Sequence, residues 1–285
     1  MATLLEGRAV SDALLAQVQS DVAELKQKGV LPKLVVLFVG ENPASQVYVR
    51  KKQEACEKVG MLSEKLVLPD TISQEDLLAE IDRLNKDASV TGMILQLPIP
   101  AHLDAPKIIK AIDPSKDVDG FQAYNVGKMF LNADFENMAP CTPKGITKIL
   151  EYYKIDVNGM DAVVIGRSNI VGKPMGIMLL NRDATVTMCH SRTKNLSKYT
   201  KEADLIVVAV GKAKFLTGDM VKEGAIVIDV GMHRMEDGTL CGDVDFASVE
   251  PKSSMITPVP GGVGPMTVAC LLMNTVTAAR KQSNL

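Results

Sequence analysis

Three side chains in the first 120 residues have the type and spacing to do chemistry: Lys52, Gln96 and Asp119. In the segment ASQVYVRKKQEACEKV, at about 100° per residue, Ala44, Val47, Tyr48, Ala55, Cys56 and Val59 share one broad arc. Lys51 and Lys52 fall inside that arc, and Lys52 is bracketed by Tyr48 one turn before it and by Cys56 and Val59 after it. An ammonium held among apolar neighbours loses hydration that stabilises its charge, which suits proton transfer near neutral pH. The same spacing also fits a lysine lying along the helix flank with its head in water. Gln96 ends an otherwise apolar run, at the place where a parallel sheet presents side chains to ligand along its carboxyl edge. Asp119, in KDVDG, is either an acid offered to a ligand or a turn residue before glycine. A calcium loop is excluded there, because a register starting at Ser115 puts Val126 where the bidentate glutamate belongs.

The stretch DAVVIGRSNIVGKPMG, residues 161–176, reads as strand, turn and helix. Ala162, Val163, Val164 and Ile165 suit a strand buried on both faces, and Gly166 ends it. Gly172 and Gly176 allow close packing, while the first N–H groups of the helix would face an anion such as a dinucleotide pyrophosphate. The spacing departs from the common G-x-G-x-x-G, so a plain strand-to-helix turn is the competing reading. The second strand of this half ends at Cys189-His190-Ser191-Arg192, with no acid to hold the ribose hydroxyls that mark an NAD site. Ser191 can donate a hydrogen bond, and Arg167 or Arg192 can supply charge to a phosphate, which favours NADP over NAD.

The elements that must position these groups alternate. A helix is expected over 12–28, a strand over 34–39, a helix from Asn42 (N-cap) and Pro43 to Gly60, and a strand over 65–68. A helix over 73–85, a strand over 93–97 and a short helix over 106–111 follow, and residues 123–140 carry no clear pattern. In the second half a helix starts at Thr142-Pro143, strands are expected at 184–188, 205–210 and 225–230, and a helix lies near 195–201. The Pro- and Gly-rich stretch 257–265 is a loop, and 266–280 is a final helix. This alternation implies an α/β protein of parallel strands flanked by helices, divided near Pro140, with a Rossmann-type second half.

Bulk properties narrow the partners. In 285 residues, 32 Lys plus Arg nearly balance 34 Asp plus Glu, so no basic footprint for nucleic acid or anionic membrane exists. No apolar run approaches the roughly 18 residues of a membrane span, and the first residues lack a signal-peptide layout, so a cytoplasmic protein acting on small molecules is expected. The five cysteines (Cys56, Cys141, Cys189, Cys241 and Cys270) form no C-x-x-C pair. The three histidines (His102, His190 and His233) include no i, i+4 pair, so no metal centre is expected.

Taken together, NPASQVYVRKKQEACEKVG, GMILQLPIP, PSKDVDGF, CTPKGI, VVIGRSNIVGKPMG, HSRT, AIVIDVGM, GDVDF and TPVPGGVGPMT are similar to the bifunctional methylenetetrahydrofolate dehydrogenase/methenyltetrahydrofolate cyclohydrolase family. The match runs in order along nearly the whole chain. The resemblance implies a folate-binding catalytic domain of residues 1–139 plus 266–285 and a Rossmann-type NADP-binding domain of residues 140–265. It further implies a homodimer, with folate in a cleft between the domains. The implied reactions are NADP-dependent oxidation of 5,10-methylenetetrahydrofolate to the methenyl form, then hydrolysis to 10-formyltetrahydrofolate. By the same resemblance Lys52 assists water attack and proton transfer, Gln96 bonds to it, Tyr48 stacks on the folate and Asp119 holds the pterin. Gly166, Arg167, Ser168, Ser191 and Met232 match cofactor-binding positions, and the loop containing Pro260, Gly261 and Gly262 lies beside nicotinamide and folate. Family members commonly have His-Pro where this chain has Gln122-Ala123, and Asn where it has His233. Two rival readings are an NADP-dependent dehydrogenase of another small metabolite, and a non-catalytic NADP-binding protein.

Overall fold

A computed structural model describes residues 2–285, apart from the side chains of Pro43 and Ala44. The first half runs β1 (Thr3–Leu4), α1 (Gly7–Gln27), β2 (Lys33–Val39), α2 (Pro43–Val59), β3 (Leu62–Leu68), α3 (Gln74–Lys86), β4 (Gly92–Leu95), α4 (Ala105–Ala111) and α5 (Ala123–Met129). The second runs α6 (Cys141–Tyr152), β5 (Asp161–Ile165), α7 (Gly172–Leu180), β6 (Thr185–Cys189), α8 (Leu196–Thr200), β7 (Leu205–Val208) and β8 (Ile226–Asp229). It closes with β9 (His233–Arg234), β10 (Leu240–Cys241), α9 (Phe246–Val249), β11 (Met255–Ile256) and α10 (Val263–Gln282). The fold is α/β, with two parallel sheets as the alternation implied and a separate antiparallel ribbon of β9 and β10.

One sheet has the order β3-β2-β4, all parallel, with Val36 opposite both Lys65 and Ile94. The central strand β2, KLVVLFV, is buried from Leu34 to Val39, as a strand covered on both faces must be. The edge strand β3 begins at Leu62 rather than 65, because its first residues, Leu-Ser-Glu, carry no apolar run to announce it. Asn42 Oδ1 accepts from the Ser45 N–H at 3.1 Å to start α2, and Gly60 ends it at φ 78°, a conformation that favours glycine. In α3, capped by Ser73, the buried residues are Leu77, Ile81 and Leu84, at the i, i+4, i+7 spacing of one face. The chain passes from β2 to β3 on one side and returns on the other at β4. A topological switch therefore lies between β2 and β4.

The other sheet has the order β1-β11-β8-β7-β5-β6, every pairing parallel. Here too the chain goes from β5 to β6 and then reverses to β7, placing a switch between β5 and β7. Val163, Ile165, Ile206, Val208 and Val227 build its core. The two-residue strands β1, β9, β10 and β11 are too short for any period to reveal them in sequence.

The chain divides into two compact units: residues up to Asp12 with 129–136 and 140–267, and residues 13–128 with 137–139 and 268–285. Residues before Asp12 join the six-stranded sheet because Thr3 and Leu4 pair with Met255 and Ile256. Residues 129–136 join the same unit through Glu136, which is buried and accepts from Arg182 Nη1 at 2.8 Å and Asn181 Nδ2 at 2.9 Å. The later part of α10 packs with the three-stranded sheet, where Gln282 Nε2 donates to the Thr91 carbonyl at 2.8 Å. The sequence division at 139/140 and 265/266 differs from this one at residues 1–12, 129–136 and 266–267.

Candidate active site

At the carboxyl edge of the three-stranded sheet, Lys52 Nζ donates to Gln96 Oε1 at 3.0 Å. Gln96 is fixed from both ends of its amide. Its Nε2 donates to the Leu97 carbonyl at 2.8 Å, and its backbone N–H donates to Leu37 at 2.9 Å. The oxygen facing Lys52 is thereby an acceptor by construction.

The arc on which Lys52 was placed requires correction. The buried residues of α2 are Ser45, Val49, Cys56 and Val59, whereas Val47 and Tyr48 are each 43% exposed. The buried stripe is thus rotated by roughly a quarter turn from the apolar arc. Lys52 sits half-buried within that stripe, between Val59 and Ser45 in angle, and Tyr48 lies outside it one turn earlier. Cys56, on the buried side, is a packing residue: burial pushes its thiol up to about 12.

Asp119 is partly buried and stands in a turn built by its neighbour. Asp117, 1% exposed, accepts from the Gly120, Phe121 and Gln122 N–H groups at 3.1, 3.2 and 2.8 Å and from Asn125 Nδ2 at 2.9 Å. Burial pushes its carboxyl above the usual carboxylate range, against the pull of these four donors. A parallel bridge joins Asp117 to Met93, so the chain from 117 to 119 runs alongside β4 toward the edge that Gln96 ends. Asn274 Nδ2 donates to the Val118 carbonyl at 2.9 Å and closes the turn from behind. Neither Asp117 nor Asn274 was singled out from sequence. An acid two residues before another in KDVDG was the available signal for the first, and nothing local announced the second.

At the switch of the six-stranded sheet, Gly166 has φ 133°, and a Cβ there would collide with the Ala209 carbonyl just past β7. A Cβ on Gly172 would collide with the Gly166 carbonyl. Strand ends and helix start thus approach closer than any side chain permits. The first N–H groups of α7 are not all open, as the sequence suggested: Ser168 Oγ accepts from Val171 and Gly172 at 3.1 and 3.2 Å. Arg167 is exposed beyond β5, and Ser191 and Arg192 are exposed beyond the adjacent β6.

The Pro-Gly loop is held by the start of α1. A Cβ on Gly7 would strike the Gly262 carbonyl, Arg8 N–H donates to Gly261 at 3.1 Å, and Gly262 N–H donates to Pro258 at 2.8 Å. Thr257 Oγ1 accepts from the Asp229 N–H at 2.7 Å. Met232, after β8, is 43% exposed, and the following His233 contacts Asp243. No group of three His, Cys, Asp or Glu able to hold a metal occurs among the described residues, and no described helix is long and apolar enough to cross a membrane.

A family model for the catalytic domain of tetrahydrofolate dehydrogenase/cyclohydrolase matches residues 5–119, and the NAD(P)-binding domain model of the same family matches 140–283. The chain belongs to the tetrahydrofolate dehydrogenase/cyclohydrolase family. Among its relatives, the bifunctional protein FolD of Enterococcus faecalis is 54% identical over 282 residues, covering 99% of this chain and all of the relative. The structure of FolD methylenetetrahydrofolate dehydrogenase/cyclohydrolase from Campylobacter jejuni matches with TM-score 0.95 at 51% identity, covering 99% of each chain. The Trypanosoma brucei dehydrogenase-cyclohydrolase, solved with NADP cofactor and inhibitor, matches with TM-score 0.93 at 35% identity, covering 100% of this chain and 99% of its own.

The donor set suits the family's NAD(P) cofactor. A glycine turn admits a pyrophosphate, hydroxyls stand at Ser168 and Ser191, guanidinium groups stand at Arg167 and Arg192, and no acid follows β6 through Lys194. Of the two departures from the family pattern, Gln122 serves helix α5. Its side-chain oxygen accepts from the Tyr124 N–H and its carbonyl from the Val126 N–H.

Proposed function

We propose that this chain oxidises 5,10-methylenetetrahydrofolate with NADP and hydrolyses the methenyl product to 10-formyltetrahydrofolate. The observation that carries this reading is the 3.0 Å Lys52–Gln96 hydrogen bond at a sheet switch, beside an exposed Tyr48, in a chain of this family. Bound NADP supplies the acceptor for a hydride from the methylene carbon bridging N5 and N10; that step needs alignment rather than a protein base.

In the hydrolysis, water adds to the methenyl carbon and releases one proton through Lys52; the carbon–N5 bond then breaks as the hydroxyl proton passes to N5, which leaves the formyl group on N10. Gln96 Oε1 accepts a hydrogen from the Lys52 nitrogen whether that nitrogen is an ammonium or an amine, so the pair keeps its geometry through the transfer. Tyr48 stacks on the folate rings, and Asp119 accepts from the pterin amino and ring N–H groups. Gly166, Arg167, Ser168, Ser191 and Met232 hold NADP, and Pro260, Gly261 and Gly262 line the reacting region. Residues 1–139 with 266–285 take the folate and residues 140–265 take the dinucleotide. The family resemblance also supports a homodimer working in the cytoplasm.

The test is a coupled assay with methylenetetrahydrofolate and NADP⁺, following NADPH, methenyl and formyl products separately. Sequential appearance of both folate products is expected. NADPH formation with another small alcohol or acid and none with the folate would overturn the reading.

A further inference from the structure

Asp243 is fully buried and central to the cofactor-side loops. Its Oδ2 accepts from the Val210 and Gly211 N–H groups at 2.6 and 3.0 Å, and its Oδ1 accepts from Lys212 N–H at 3.0 Å. Val210, Gly211 and Lys212 form the turn leaving β7, one wall of the switch. His233 Nε2 meets the same Oδ1 at 2.7 Å. The Asp243 N–H in turn donates to Asp229 Oδ1 at 2.9 Å, which also accepts from Gly231 at 2.9 Å, while Asp229 Oδ2 accepts from Val244 at 2.9 Å. Two carboxylates therefore tie together the end of β7, the loop after β8 and the return of the β9–β10 hairpin.

The fit is too tight to be incidental. A Cβ on Gly231 would collide with the Asp243 N–H, and one on Gly242 with the Asp229 carboxylate. The hairpin itself has two residues per strand, His233 opposite Cys241 and Arg234 opposite Leu240. So short a ribbon cannot hold its own place, and its base depends on an anchor. His233, whose side chain is 24% exposed, adds a side-chain tie from the first strand of the hairpin to Asp243, and it adjoins Met232.

We infer that His233 is a positioning residue for the cofactor: through Asp243 it fixes Met232 and the turn after β7, and so sets the affinity for NADP without touching the reacting atoms. This inference rests on the reading of Met232 as a cofactor contact. Replacing His233 by Ala frees the hairpin base, whereas Gln can place an amide N–H where Nε2 stands.

The experiment measures KM for NADP⁺, kcat and NADPH affinity by fluorescence titration in the wild type, His233→Ala and His233→Gln, with Tm of each. Loss of one charge-assisted bond predicts a KM and a Kd raised about 5- to 20-fold in His233→Ala. We expect kcat to stay within about twofold and His233→Gln to regain most of the affinity. Unchanged KM and Kd in His233→Ala overturns the inference, as does a Gln variant no better than Ala. A fall in kcat with unchanged Kd overturns it as well. A wild type that binds no NADPH refutes the reading of Met232 instead, and the inference with it.

Discussion

The two sheets repeat one topological device and use it in opposite ways. In each, the chain reverses about its first central strand, β2 between β3 and β4, and β5 between β6 and β7. At the β2/β4 switch the groups on offer are side chains: Lys52 bonded to Gln96, and Asp119 on a turn that is shaped by Asp117 and bridged to β4. At the β5/β7 switch the wall is close-packed backbone, Gly166 against Ala209 and Gly172 against Gly166, with hydroxyl and guanidinium groups only at its rim and acids buried beneath rather than presented. Proton transfer requires a titratable atom at a chosen point, while a long phosphate-bearing ligand requires a shaped wall of N–H groups. One switch can therefore be silenced by deleting a side chain, and the other by adding one.

The largest expected effect breaks the first region alone. Lys52→Ala should lower methenyltetrahydrofolate hydrolysis by about 10²- to 10⁴-fold, the usual span for a positioned acid–base group, while NADPH binding stays within about twofold. Hydrolysis at the wild-type rate in that variant would refute the role given to Lys52.

A second prediction concerns the buried acids under the other switch. Burial pushes Asp229, 4% exposed, up to about 6, and the neighbouring Asp243 charge adds to the effect while three backbone N–H donors oppose it. Its ordinary value is 3.8. The folded state thus holds this proton more tightly than the unfolded chain, so the stability it contributes is full below about 3.8 and is lost as pH rises through about 6. Asp229→Asn removes that dependence. The stability of the wild type relative to the variant, from urea titrations, should rise by about 2–3 kcal/mol between pH 7 and pH 4. A flat difference across that window would show that Asp229 titrates normally.

The smallest effect sharpens the choice of ligand. Arg167→Ala should weaken NADP⁺ by about tenfold and NAD⁺ by less than about twofold, the difference being one charge-assisted contact to the extra phosphate. Equal losses for both cofactors would remove Arg167 from the phosphate site.

How far each region was legible follows the same contrast. The strand-turn-helix of 161–176 and the cap pair Asn42 and Gly60 were readable because glycine, proline and capping residues act locally. The orientation of α2 was not. Its apolar arc includes Val47 and Tyr48, but apolar character alone does not tell a core residue from an exposed one, and the structure leaves both exposed. The Lys52–Gln96 bond spans 44 residues, and the neutral residue opposite the lysine gave no charge pattern to follow. The Asp229–Asp243–His233 network was invisible for a related reason. Buried acids satisfied by backbone N–H groups look in sequence like ordinary turn residues beside glycine, as VIDVG and GDVDF do here.

The bond from Asn274 to the Val118 carbonyl joins residues 156 apart in sequence. During synthesis the ribosome releases the Asp119 turn long before it releases the helix that closes it, so that turn stays unfinished until the final helix emerges. A nascent chain released as far as Gly262 has the Asp119 turn and lacks the helix that closes it, and late pairing of this kind belongs to the slow class of folding events. A non-local tie of this sort couples completion of the Asp119 turn to completion of the final helix.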